Sequence, residues 1–232
     1  MALVKYGGGI IQMSGSLAGN THARNRYGNY IRARTKPINP NTARQQTVRA
    51  AIAYLTERWA DTLTAVQRTA WGLYASNVAM KNKLGESIKL SGFNHYIRSN
   101  MNLQQNALTI IDAAPTVFEL PEKDSTLAIT ASEASQNISV AFTATLDWAL
   151  ETGAYLVCYL GQPQNPQRNF FGGPYRMMDN VAGIDTTGAT TPDVQAAPFA
   201  VAELQRIWMY ARVIRKDGRL SQKFFADCFV AA

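Results

Sequence analysis

Apolar residues recur along this chain at two different periods. Between residues 41 and 112 the period is helical. Val48, Ile52, Leu55 and Trp59 are spaced 4, 3 and 4 apart, which predicts one buried helix face. The preceding "NPNT" supplies Asn39 or Asn41 as an N-cap. "LTAVQRTAW" predicts a second helix. Thr64 with Gln67 three residues on is a capping box, and Leu63, Val66, Trp71 and Tyr74 supply its buried face. The join over residues 60–63 is short, and short joins give antiparallel neighbours. An αα-hairpin with Trp59 and Trp71 near its core is therefore expected. "KNKLGESIKL" reads as a turn and a short strand. "SGFNHYIRSNMNLQQNAL" reads as a third helix capped by Ser91, with Phe93, Ile97, Met101 and Leu103 inward. The helical unit closes near Asp112.

After a proline-bounded linker, "AAPTVFELPEKDST", the period falls to two. Residues 126–132 and 137–144 alternate, and residues 154–161 ("AYLVCYLG") form a buried strand. Ile207, Met209, Ala211 and Val213 share one parity. Asp217-Gly218 makes a tight turn, and residues 224–230 return to complete a β-hairpin. Residues 162–175 and 182–198 are rich in Gly, Pro, Thr, Asn and Gln and read as long loops. Six or seven strands in about 110 residues suggest an antiparallel β-sandwich. The expected fold class is α+β: a basic arm (1–40), a helical unit (41–112), a linker (113–125) and a β-sandwich (126–232).

The arm stands apart in pattern and in charge. Glycines at 7–9, 15, 19 and 28 break any helical or strand period, and its apolar residues are isolated. Such a segment is expected to be extended, and to order by lying on a neighbour. The net charge of +7 is concentrated here. Residues 1–50 carry eight Lys/Arg and no acid, while residues 51–232 carry the other 15 bases and all 16 acids, a net of −1. The basicity belongs to the N-terminal fifth and not to the fold. Two readings of the arm follow. In the first it is a docking strap, with Arg24, Arg26, Arg32, Arg34 and Lys36 bridging to acidic grooves and Tyr27, Tyr30 and Ile31 as apolar anchors. In the alternative the same bases bind phosphates and the tyrosines stack on bases of a nucleic acid.

Catalytic chemistry is hard to assemble from these residues. His22 and His95 lack metal-pair spacing and neighbour no nucleophile; each reads as a solvated or hydrogen-bonded structural residue. Glu119, Glu122 and Asp124 sit together in the linker and read as solvated charges. The glycines at 7–9 and in "FFGGPY" lack the context of a phosphate loop. Trp59, Trp71, Trp148 and Trp208 read as packing. Cys158 and Cys228 lie in apolar runs and read as buried reduced thiols. No metal, cofactor or enzymatic activity is expected. No apolar run approaches the roughly 20 residues of a membrane span, and a secretory leader is not expected at the glycine-rich start.

Residues 24–71 resemble a recurring N-terminal module of structural proteins of tailed bacteriophages and prophages. The matching positions are residues 24–26, Gly28, residues 39–42, Gln45 or Gln46, Val48, Arg49, Leu63, Thr64, Gln67, Arg68 and Trp71. "YARVIRKDGRLSQ" is similar to the last two strands of fibronectin type III or immunoglobulin-like domains. Together these resemblances imply a virion component made in the host cytoplasm. Its partners would be other virion proteins (capsid, neck or tail subunits) and further copies of itself, with nucleic acid as the second choice.

Overall fold

The fold is taken from a computed structural model, which describes residues 2–25, 28–82 and 84–232. The N-terminal segment is not a featureless arm. It holds β1 (Ala2–Leu3), β2 (Gly15–Leu17), β3 (Asn20–Asn25) and β4 (Gly28–Ala33), joined antiparallel in the order β1-β4-β3-β2. The glycines do not spoil the strands, because several sit where the chain reverses or begins to pair. Gly15 and Gly28 adopt φ of 107° and 123°, angles open to glycine. Arg34 N–H donates to the Gly19 carbonyl (2.8 Å), so pairing continues past β4. None of the described residues in 2–40 is buried.

The helical unit comprises α1 (Ala43–Glu57), α2 (Ala65–Asn77), a small hairpin of β5 (Ala79–Lys81) and β6 (Ser87–Lys89), and α3 (Gly92–Gln105). Thr42 caps α1. Its hydroxyl accepts from Gln45 N–H, and the Gln45 amide oxygen accepts from Thr42 N–H. Asn39 and Asn41, the expected caps, instead accept from the two ends of the Arg49 guanidinium at 2.7 and 2.9 Å. Thr64 and Gln67 form the expected capping box on α2. Between the helices, residues Arg58–Thr62 make a π-helical turn.

The helices do not form a simple αα-hairpin. α3 packs against both α1 and α2 and lies between them. Gly92 makes this approach possible: a Cβ there would lie 2.7 Å from Gly72 N and 2.8 Å from the Trp71 carbonyl carbon. Leu55, Leu63, Trp71, Tyr74, Val78 and Tyr96 form the core, with Trp59 packed at its edge. Ile52 and Val66, both expected inside, are exposed, and Ala51 takes the place of Ile52 on the buried face. α3 buries His95, Ser99, Asn100 and Asn102 beside Tyr96 and Leu103. Asn100 satisfies itself on the chain that follows the helix: its side chain accepts from Ile111 N–H (2.8 Å) and donates to the Ile111 carbonyl (2.9 Å).

The C-terminal half contains β7 (Ala128–Ser132), β8 (Asn137–Ala141), β9 (Tyr155–Gly161), β10 (Tyr175–Ala182), β11 (Asp193–Ala196), β12 (Arg206–Ile214) and β13 (Phe224–Ala231). Their order is β10-β9-β12-β13-β7-β8-β11. Every pairing is antiparallel except β13 with β7, a short parallel contact at Val230↔Ala131 and Ala231↔Ser132. Ile129, Ile138 and Val140 of β7 and β8 share one core with Leu156, Leu160, Ile207 and Met209 of β9 and β12. The sheet therefore folds over into two layers, a β-sandwich. Burying each of these large side chains contributes about 1.5–3 kcal/mol. β11 lies in a stretch expected to be loop. It is four residues long, follows Pro192 and pairs with β8 alone, so it carries too little pattern to be read.

The stretch 113–125 is not a free tether. Pro115, Pro121 and Asp124 are buried, and Ala114 and Leu120 pack on the helical core. Asp124 accepts from Thr126 N–H, Thr126 Oγ1 and Thr143 N–H at 2.6–2.8 Å, so it is a turn-former and not a solvated charge. The tip of the β12–β13 hairpin also reaches the helices. At Gly218 (φ 90°) a Cβ would lie 3.3 Å from Ile111 Cγ2 and 3.5 Å from the Trp71 ring. Leu103 of α3 packs with Val157, Ile214 and Leu220 of the sandwich.

Candidate interaction surfaces

The ladder of the N-terminal sheet decides which arm residues act together. Directly paired residues share a face, and faces alternate along each strand. His22 pairs Ile31, Ala23 pairs Tyr30, Thr21 pairs Arg32 and Arg24 pairs Asn29. Tyr30 and Arg32 therefore occupy one face, and Arg24 and Ile31 the other. The described members of the expected set thus divide between the two sides of the sheet. Arg24 is exposed and donates to Gln12 Oε1 (3.1 Å). Arg32, Arg34 and Lys36 are exposed and make no ion pair among the described residues. Tyr30 and Ile31 are half-buried. Arg26 and Tyr27 lie outside the described residues.

Among the described residues, Lys5, just after β1, forms an ion pair with Glu86 of the helical unit. Hydrogen bonds from Lys5 and Asn82 hold the Glu86 carboxyl below the usual carboxylate range. His22 is held by Tyr6, whose Oη lies 2.8 Å from Nδ1. Ile11 and Ile38 are each about nine-tenths exposed.

The residues that carried the bacteriophage resemblance have identifiable work in the helical unit. Besides the two capping boxes and the Asn39–Arg49–Asn41 clasp, Arg68 Nη1 donates to the carbonyls of Trp59, Ala60 and Leu63 at 2.9–3.1 Å. These are the orphan acceptors where the first helix ends. Trp71 Nε1 donates to the Asp112 carbonyl (2.9 Å). The pattern thus encodes local geometry.

A second surface escaped the sequence reading. The outer face of β9, β12 and β13 carries a row of aromatic rings that starts at Tyr159, beside Asn102 of α3, and runs past buried Phe171 and Trp208 to exposed Phe225 and Phe229. Tyr159 stacks on Tyr210 (4.6 Å, 13°), and Phe171 stacks on Trp208 (5.6 Å, 15°). Tyr175 meets Tyr210 edge-on, and Phe225 lies tilted against it. Lys223 sits 4.0 Å from the centre of the Tyr210 ring, and Arg206 lies over Trp208 and Phe229. Burial raises the Tyr210 hydroxyl to about 12. The clue was present in β12, where Trp208, Tyr210 and Arg212 share the parity opposite to the core residues.

Gly161 makes room for this row. A Cβ there would lie 2.5 Å from Phe171 Cε1 and 3.0 Å from the Trp208 carbonyl oxygen. Gly161→Val is expected to expel Phe171 from Trp208 and to cost about 1–3 kcal/mol. Near-ultraviolet circular dichroism should lose Trp208 signal alongside a lower urea midpoint; an unchanged spectrum would refute the packing.

On α2, Val66 and Leu73 are exposed beside Ala65, Thr69 and Ala70, leaving an apolar helix face open. Both cysteines are free thiols, Cys158 buried and Cys228 half-buried. Burial raises them to about 12 and about 11.

No protein-family model matches the chain, and no curated protein sequence matches it. Among solved structures the chain is similar to an Fn3-like protein from Clostridium thermocellum, at 14% identity over 49% of this chain and 97% of that one, with a TM-score of 0.30. It is also similar to the adhesin domain of Epf from Streptococcus pyogenes (10% identity, 48% of this chain and 32% of that one, TM-score 0.29). A third likeness is to a family 76 glycoside hydrolase from a bovine Bacteroides thetaiotaomicron strain (12% identity, 48% and 21% covered, TM-score 0.28).

Proposed function

We propose that this protein is a non-enzymatic structural component of a tailed-phage particle, anchored to neighbouring subunits by its N-terminal sheet. The observation that carries this reading is the state of residues 2–40. They form a four-stranded sheet with no buried residue among those described, yet with exposed Ile11, Leu17 and Ile38. A small sheet with both faces open gains little from its own packing. A neighbour that covers one or both faces would supply what is missing, as in strand- and groove-type recognition. The basic side chains favour an acidic neighbour. The sandwich, of the fibronectin type III or immunoglobulin-like kind, would then project from the anchor or mediate self-association.

Removal of residues 1–40 tests this. The truncated protein is expected to keep the melting temperature of the full chain within about 2 °C, because neither core loses a residue. It is also expected to lose incorporation into particles assembled in its presence. Incorporation at full occupancy would refute the anchor.

Exposed Arg32, Arg34 and Lys36, unpaired by any acid among the described residues, favour a second reading in which the sheet contacts duplex DNA. Its mark would be affinity for random duplex that falls steeply with salt. Absence of binding at about 50 mM salt would remove it.

A further inference from the structure

A cleft of about 260 Å³ lies between α3 and the outer face of β9 and β12. Two arginines line it, Arg98 from α3 and Arg212 from β12, and no acidic residue does. Arg98 donates from Nη1 to the Leu220 carbonyl (2.9 Å) and from Nη2 to the Ser221 carbonyl (2.8 Å). These bonds position its guanidinium but leave its charge uncompensated. Arg212 is less well provided for: its Nε is buried and has no hydrogen-bond partner among the described residues. Guanidinium groups are ordinarily buried with a carboxylate or another anion. Burial and the charge of Arg212 lower Arg98 to about 10, and burial also lowers Arg212. Lys223, itself lowered by burial and by Arg212, adds a third nearby cation.

The rest of the lining is mostly apolar. Ile97 and Met101 face it from α3, Val157 and Ile214 from the sheet. Tyr159 and Asn102, hydrogen-bonded to one another at 3.2 Å, close the polar end.

We propose that this cleft is a binding site for a carboxylate on a short apolar stem, with Arg212 and Arg98 holding the carboxylate. The planar carboxylate matches the guanidinium fork. Its single charge suits a pair in which Arg98 already spends donors on the Leu220 and Ser221 carbonyls and Arg212 keeps an unpartnered Nε, whereas a phosphate would bring three oxygens and up to two charges. The volume equals roughly nine waters at about 30 Å³ each, which suits a stem of a few carbons. The carboxylate could come from a free short-chain acid or from the end of a peptide chain with an apolar last residue.

Calorimetric titration of the full-length protein distinguishes these sources. The probes are hexanoate, acetyl-glycyl-leucine, acetyl-glycyl-leucinamide and inorganic phosphate. Hexanoate or acetyl-glycyl-leucine is expected to bind. Tighter binding of the former identifies a free acid, and tighter binding of the latter identifies a peptide end. Arg212→Gln is expected to weaken that binding at least tenfold while the circular dichroism spectrum is retained. Arg212→Lys, which keeps the charge but not the fork and guards against a folding artefact, should also weaken it. Equal binding of the leucinamide or of phosphate would overturn the assignment. So would no binding by either acid, or undiminished affinity in both Arg212 variants.

Discussion

Asp112→Ala is expected to destabilise the protein by about 3 kcal/mol, lowering the melting temperature by roughly 6–12 °C for a chain of this size. Asp112 is the knot of the helical unit. Its carboxylate accepts from Arg58 Nε (2.8 Å) and Nη2 (2.5 Å) and from the Tyr96 hydroxyl (3.2 Å). Its backbone carbonyl accepts from Trp71. One residue thus ties the end of α1 to α2 and α3. The side-chain hydrogen bond to Asp112, which outweighs burial, raises the Arg58 pKa and keeps it charged. Both partners are about a quarter exposed, so the low end of the range for breaking a buried pair applies. Most of the cost comes from the stranded guanidinium and not from the lost attraction. Arg58→Met combined with Asp112→Ala should therefore recover a good part of the loss. Equilibrium urea denaturation of both variants measures this. A single-variant cost below about 1 kcal/mol would show that the pair is solvated and the knot is not structural.

How far the fold could be read in advance depended on whether the stabilising interactions were local. The Thr64–Gln67 capping box and the Asp217-Gly218 turn are made within a few residues, so their pattern is visible in the chain. The alternation of Ile207, Met209, Ala211 and Val213 is equally direct, because one face of β12 meets only the sandwich core. α3 is the opposite case. Two helices and a sheet surround it, so its buried positions include His95, Ser99, Asn100 and Asn102, and a polar residue satisfied at long range looks like a surface residue in the sequence. Asn100 finds Ile111, eleven residues on; Asn102 finds Tyr159 in another unit. The N-terminal sheet was missed because none of its described residues is fully buried, so its strands leave no apolar signature.

The candidate surfaces show the same division. That the charge lies in the first fifty residues is a property of composition and was plain at once. That Arg24 and Ile31 face away from Tyr30 and Arg32 depends on ladder register, which an isolated glycine-rich segment does not announce. The cleft at Arg98 and Arg212 joins residues over a hundred positions apart, and nothing near either one marks the other. The aromatic row on the outer sheet is an intermediate case. Its parity was present in β12, but only the packed sheet shows that Trp208 is covered by Phe171 while Phe225 and Phe229 stay exposed.

A loss of stability on mild acidification is also expected, and it should trace to His95. The imidazole is fully buried, and neither ring nitrogen has a hydrogen-bond partner among the described residues. Tyr74 meets it edge-on at 5.1 Å. Burial first, and the Arg98 charge second, lower its pKa from 6.5 to about 4. The sign follows from proton counting. Below pH 6.5 the unfolded chain takes up a proton at this residue, while the folded chain refuses it until about pH 4. Stability is therefore fully present above pH 6.5, declines as pH falls from 6.5 to 4, and levels off below. A shift of this size corresponds to a full loss on the order of 3 kcal/mol, of which about 2.5 kcal/mol is reached by pH 4.5. Carboxylates also titrate at the acid end, so the informative quantity is a difference between proteins. Urea denaturation of the native chain and of His95→Gln, which is neutral throughout, should be compared at pH 7.5, 6.0, 5.0 and 4.5. The native curve should fall more steeply across this window by about that amount. Parallel curves would mean that His95 gains its proton as readily in the fold as outside it, and that water reaches the junction of α2 and α3.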